Sequence, residues 1–225
     1  MAAGDQIDSY VEFFKISKIK REDFLADGLS LVKFIHPVVA NCYWEYLKKI
    51  INEKKVLVPI RGYGRHWKTD RRYEKLYENL GICIQMDKAN NSFPASTISR
   101  LSGFSTKKAS KDKTLITNYQ VSHIFGRTHN VFCFTAPWNI AYVPKIFDPL
   151  TGHEAKGELA NDFAALFKQK ASKLFTPQIE DFNEIMKTYQ AGIEAELKDI
   201  DDSDKFKVNV RSNFSVIVPA CIDKG

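Results

Sequence analysis

The sequence predicts a mixed α+β fold, and three observations carry that expectation. Apolar residues recur every three and four positions in the first quarter of the chain and again across residues 157–197, the spacing of amphipathic helices. Short β-branched runs at 56–60, 115–124 and 139–143 interrupt them and read as strands. The composition is 44% apolar and 12% aromatic against 27% charged over 225 residues, which suits a packed globule and excludes a disordered chain.

Residues 8–18 form the first predicted helix. Residues 21–53 follow with an apolar face of Leu31, Phe34, Ile35, Val38 and Val39, then Tyr43, Tyr46, Leu47 and Ile50. Pro37 splits this stretch, because a proline inside a helix removes a hydrogen bond and clashes with the preceding turn; His36 beside it reads as structural. Val56-Leu57-Val58-Pro59-Ile60 is a strand, and Arg61-Gly62-Tyr63-Gly64-Arg65 a loop. Helical spacing covers 73–80, a strand 82–86, and turns or short helices 90–106. The polar run Lys107-Lys108-Ala109-Ser110-Lys111-Asp112-Lys113 reads as a linker and marks the main boundary, giving segments 1–110, 111–175 and 176–225.

Beyond it come strands at 115–124 and 139–143, then a helix over 157–174 through Leu159, Phe163, Leu166, Phe167 and Leu174. A further helix spans 179–197 and ends in the acidic run Asp199, Asp201, Asp202 and Asp204. Phe and Val alternate from 206 to 218, the pattern of a terminal strand or hairpin.

The formal charge of +6 and an isoelectric point near 9.0 favour polyanionic partners. Cys42, Cys83, Cys133 and Cys221 stand singly, which excludes a zinc ribbon and a disulfide framework and points to a reducing cytoplasm. The start, MAAGDQIDSY, lacks the basic-then-apolar pattern of a secretory signal, and no run of apolar residues is long enough to cross a membrane.

The chemistry is concentrated between Ser122 and Gly157. Val121-Ser122-His123-Ile124-Phe125-Gly126 puts a histidine at the end of one predicted strand. Trp138-Asn139-Ile140-Ala141-Tyr142-Val143-Pro144 puts an asparagine at the start of the next, and Thr151-Gly152-His153-Glu154-Ala155-Lys156-Gly157 a histidine at the approach to a helix. This order of His, Asn and His on strand, strand and helix resembles the HNH family, the ββα-metal finger nucleases. The resemblance covers 118–170.

The resemblance implies a ββα-metal finger embedded in the α+β chain and a phosphodiester hydrolase dependent on Mg2+ or Mn2+. His123 would be the general base, since a neutral imidazole takes a proton from water near pH 7. Asn139 would brace the loop between the strands and hold a backbone carbonyl against the His123 ring, fixing its tautomer. His153 would be the leading metal ligand. Ser122 stands where the family commonly has a metal-binding aspartate or histidine, which leaves Asp148 or Glu154 to supply a carboxylate. The gap before His153 is longer than in compact members, and Phe132, Phe134, Trp138 and Tyr142 replace the zinc-binding cysteines of many relatives as the packing that holds the finger.

Recognition of double-stranded DNA falls to the basic and aromatic loop with Arg61, Arg65, Trp67, Lys68, Arg71 and Arg72, because arginine forks and stacked rings hold phosphates and read bases. Arg127, in the turn after His123, is placed to hold a phosphate or to stand as a solvated loop arginine; His129 in the same turn reads as exposed or phosphate-touching. The leading expectation is a restriction-type endonuclease, dimeric about a two-fold axis if it cuts both strands of a symmetric site. The alternatives are a nonspecific or RNA-directed nuclease with the same finger, and a non-catalytic nucleic-acid-binding module.

Overall fold

The computed structural model describes residues 7–62, 71–152 and 154–218, and its architecture is α+β. Helix α1 (Ser9–Ser17) opens on Asp8, whose carboxylate accepts from the Tyr10 amide at 2.8 Å, and closes on Lys18 in the left-handed region. Helices α2 (Arg21–Leu31) and α3 (Pro37–Glu53) flank the short strand β1 (Lys33–Phe34). Pro37 divides the stretch as expected, and it does so by occupying the first turn of α3, where a missing N–H costs nothing. His36 is the cap: its Nδ1 accepts from the Val38 amide at 3.3 Å.

The buried face of α3 is Ala40, Trp44, Leu47 and Ile51, and the predicted stripe is only partly right, since Val38 and Tyr46 lie in the open. Both stripes have helical spacing; the larger Trp44 ring decides which one turns inward, against Trp138 at 5.6 Å.

Strand β2 (Val58–Arg61) runs parallel to β3 (Ile84–Asp87), with α4 (Arg72–Asn79) connecting them. Helix α5 (Ser92–Leu101) occupies the stretch expected to hold turns or short helices. The lysine-rich run connects β4 (Phe104–Ser105) to β5 (Thr114–Leu115), which pair in parallel. Strand β6 (Tyr119–His123) and strand β7 (Ile140–Pro144) form an antiparallel pair, and β1 adds to the other edge of β7. Main-chain hydrogen bonds therefore cross the boundary placed at the lysine run, and one apolar cluster extends from Phe24 to Ile217. All five residues of β7, the central strand, are buried.

After β7 come a 3-10 turn (Asp148–Thr151), α6 (Glu158–Leu174), α7 (Thr176–Leu197) and α8 (Lys205–Phe214). The last is a correction: the expected terminal strand or hairpin is a helix. Phe206, Val210 and Phe214 fall four apart and are buried together, and the Asp204 carboxylate caps the helix by accepting from the Phe206 amide at 2.7 Å. The alternation of Phe and Val satisfied both periods, and packing against α7 selects the helical one. Among the described residues no helix is long and apolar enough to cross a membrane.

Candidate active site at the end of strand β6

Strand β6 ends at His123, paired opposite Ile140, and the next amide, Ile124, donates to the Asn139 carbonyl at 2.8 Å. There the chain leaves the sheet through Gly126 and Arg127, both with positive φ, at 67° and 54°. The loop that follows returns to β7 through 130–139, and two buried asparagines hold it.

Asn139 is fully buried, and its amide is used on both sides. Its Oδ1 accepts from the Phe125 amide at 2.9 Å, while Nδ2 donates to the carbonyls of Gly126 at 2.9 Å and Cys133 at 3.0 Å. The expected role of Asn139 as a brace matches this geometry. Asn130, also fully buried, was not assigned a role from the sequence. Its Oδ1 accepts from the Phe132 amide at 2.8 Å and its Nδ2 donates to the Asn213 carbonyl at 2.9 Å, tying the loop to α8. A polar residue opening the apolar run Val131-Phe132-Cys133-Phe134 is the signal that could have found it.

The consequence falls on His123. Asn139 grips the Cys133 carbonyl, and the next carbonyl along, Phe134, lies 2.9 Å from His123 Nε2. The Phe134 ring stacks on the imidazole, with centroids 5.5 Å apart and planes 11° from parallel. A carbonyl oxygen only accepts, so Nε2 carries the proton, and in the neutral ring the lone pair is on Nδ1. A backbone carbonyl thus holds one nitrogen of a buried histidine, and the asparagine holds the neighbouring carbonyl.

The other face of β6 meets the 3-10 turn. The Gln120 amide donates to the buried Asp148 carboxylate, Ser122 Oγ lies 3.4 Å from Thr151 Oγ1, and Thr151 Oγ1 donates to the Asp148 carbonyl at 2.7 Å. Three oxygen-bearing side chains, Ser122, Asp148 and Thr151, are brought together here. Glu154 is exposed, and His153 lies outside the described residues. Among the described residues no three His, Cys, Asp or Glu side chains form a metal-sized group.

The predicted DNA contacts divide. Arg65, Trp67 and Lys68 lie outside the described residues. Arg71 is exposed and hydrogen-bonded to Glu74 at 2.5 Å; Arg72 pairs with Asp204 at 3.0 Å and lies over the Phe206 ring. Arg127 is spent on the protein: its guanidinium donates to the carbonyls of Phe125, Ser215 and Val216 and to Ser215 Oγ, at 2.8 to 3.0 Å. Burial lowers its pKa from the usual arginine value. It is a strut between the β6–β7 loop and the tail, which its sequence position in a turn did not reveal. Arg61, at the end of β2, makes no side-chain hydrogen bond or ion pair to a described residue, and its amide donates to the Thr128 carbonyl at 3.0 Å. His129, expected to be exposed or phosphate-touching, is half-buried on the wall of a cleft with Arg61: it stacks on Tyr73 at 4.7 Å, and burial, then the nearby Arg61 charge, push its pKa down to about 4.

Comparison with known proteins gives kinship without a function. A family model described as uncharacterised protein PM1201 matches residues 35–219. An uncharacterised protein of that name from Pasteurella multocida (strain Pm70) is 37% identical over 209 residues, which is 92% of each chain. No solved structure matches the chain.

Proposed function

The chain belongs to the PM1201 family of uncharacterised proteins, and from the braced histidine at the end of β6 we propose that it is a metal-dependent endonuclease of HNH type that hydrolyses DNA phosphodiester bonds. The carrying observation is the hydrogen bond from His123 Nε2 to the Phe134 carbonyl, in a loop pinned by Asn139. It is supported by the order of elements, two antiparallel strands followed by α6, the arrangement the HNH resemblance calls for.

In this reading a water gives its proton to His123 Nδ1 as its oxygen attacks phosphorus, and the bond to the leaving oxygen breaks. Asn139 holds the ring orientation throughout and never touches substrate. A bound Mg2+ or Mn2+ would supply neutralisation of the charge that grows on the phosphate. Asp148 is a carboxylate among hydroxyls, a donor type that magnesium takes with water and phosphate for the rest, and it stands against the face of β6 opposite His123. Asp148, with His153 and Glu154 as the sequence suggests, would hold it.

The basic surface favours double-stranded DNA as substrate, and restriction-type cutting of a symmetric site calls for a two-fold dimer working in the cytoplasm. The test is incubation of linear and supercoiled DNA, and of RNA, with Mg2+ or Mn2+. Discrete DNA fragments that disappear in His123→Ala, with a rate loss of about 10²- to 10⁴-fold, are the expected result. Absence of cutting by the wild type under every metal would sink the reading; a smear or loss of RNA would transfer it to a nonspecific or RNA-directed nuclease. A non-catalytic nucleic-acid-binding module is the alternative from a different class. It predicts gel shifts without any ion and no cutting.

A further inference from the structure

A cleft of about 480 Å³ opens where β2 and β3 end. Because the two strands are parallel, Arg61 and Asp87 stand opposite each other at their carboxyl ends, the place where open parallel sheets present ligand crevices. The two charges there are treated differently. Asp87 is buried and turned away, its carboxylate accepting from the Ala89 amide at 3.0 Å, Ser92 Oγ at 2.6 Å and the Phe93 amide at 2.9 Å at the start of α5. Arg61 faces the cleft with no hydrogen bond or ion pair to a described residue.

Among the described residues the remaining walls are amides and hydroxyls, with Asn90, Asn209, Ser212 and Asn213 among them, and none of these is a carboxylate. Asn90 adds an acceptor: its Oδ1 is buried without a hydrogen-bond partner, 3.4 Å from where a Cβ on Gly62 would sit. Gly62 itself has no room for a side chain, since that Cβ would meet the Asp87 carbonyl at 2.6 Å. His129 forms a wall that stays neutral above about pH 4, so among the described lining residues the charge is that of arginine across the physiological range.

We propose that this cleft seats one nucleotide of the DNA strand, its phosphate on the Arg61 guanidinium and an N–H of its base on Asn90 Oδ1. The arrangement pairs a charge-assisted donor for phosphate with an amide acceptor of the kind that reads base edges. The distance suits a substrate shared with His123. Thr128, on the cleft rim, is five residues past His123, so the two are separated by at most about 18 Å of extended chain. That bound is the length of about five base pairs of duplex at ~3.4 Å each. The proposal rests on the nuclease reading for its choice of DNA.

The experiment measures binding of a short random-sequence duplex to the full chain in EDTA, where no cutting intervenes, across a range of salt. Arg61→Ala is expected to weaken binding about tenfold and to reduce the slope of log affinity against log salt by about one. Arg61→Lys should recover the slope. Asn90→Asp places a carboxylate in the cleft at a residue whose φ of 63° aspartate tolerates, and should weaken binding at least as much. Unchanged affinity and slope in both Arg61→Ala and Asn90→Asp overturn the proposal, as does failure of the wild type to bind duplex. Displacement of the duplex by dAMP at micromolar concentration also overturns it, in favour of a free nucleotide. The two readings fail separately: binding that depends on Arg61 without any cutting leaves the cleft standing and removes catalysis, and cutting with no dependence of affinity on Arg61 does the reverse.

Discussion

Replacing Asn139 by alanine removes three hydrogen bonds at once. The Cys133 carbonyl keeps the Ala136 amide at 3.2 Å, so the Phe125 amide and the Gly126 carbonyl are the groups left to find other partners. A buried group left unmade costs about 1–3 kcal/mol, and one that reaches water costs little. Both contacts are partly open, so charging the lower end to each gives a loss of about 2 kcal/mol. For a chain of this size that is a fall of roughly 4–8 °C in Tm, or roughly 1 M in the urea midpoint. Asn139→Asp should be no milder, because a carboxylate would then face two carbonyls. The assay is reversible urea unfolding alongside 15N NMR of the His123 ring, which reports the Nε2–H tautomer in the wild type and a mixture in Asn139→Ala. An unfolding free energy within about 1 kcal/mol of wild type, with the tautomer unmoved, would refute the claim that Asn139 positions the carbonyl at His123.

Gly28 on α2 packs so closely that an added Cβ would meet Phe147 ring carbons at 2.6 Å and Phe163 at 2.9 Å. Gly28→Ala therefore loses more by overpacking, about 1–3 kcal/mol, than the roughly 1 kcal/mol it gains in helix propensity; thermal unfolding of the variant above the wild-type Tm would contradict this. His129 has its folded pKa depressed to about 4 from the usual histidine value of 6.5, so the unfolded chain binds the extra proton first as pH falls. Its contribution is complete above about pH 6.5 and is lost between there and about pH 4, amounting to about 2–3 kcal/mol. Urea midpoints at pH 7 and pH 4.5 should differ less in His129→Gln than in wild type, and parallel profiles would remove His129 as the cause.

Much of the fold was legible from periodicity. Helices α1, α4, α6 and α7 and strands β2, β3, β6 and β7 lie within a few residues of their expected places, because long amphipathic patterns and β-branched runs between turn residues carry local information. The division of the second stretch at Pro37 was legible for the same reason, since the missing proline N–H is a property of one residue. The α8 helix and the inward face of α3 were not. Phe206, Val210 and Phe214 satisfy the helical period and also sit in a strand-like alternation, so the choice depended on what each segment packs against.

The candidate site divides along the same line. His123 and Asn139, with the elements that carry them, were determined by the sequence by itself, because residue type and strand position are local properties. Only the tertiary structure decided which carbonyl holds His123, that Asn130 is the second pin, that Arg127 is a strut tied to Ser215 and Val216, and that Arg61 is left facing a cleft. Each of these depends on a hydrogen-bond partner far along the chain or on a backbone group. A carbonyl has no signature in a string of side chains, and an arginine in a loop looks the same before and after its donors are taken.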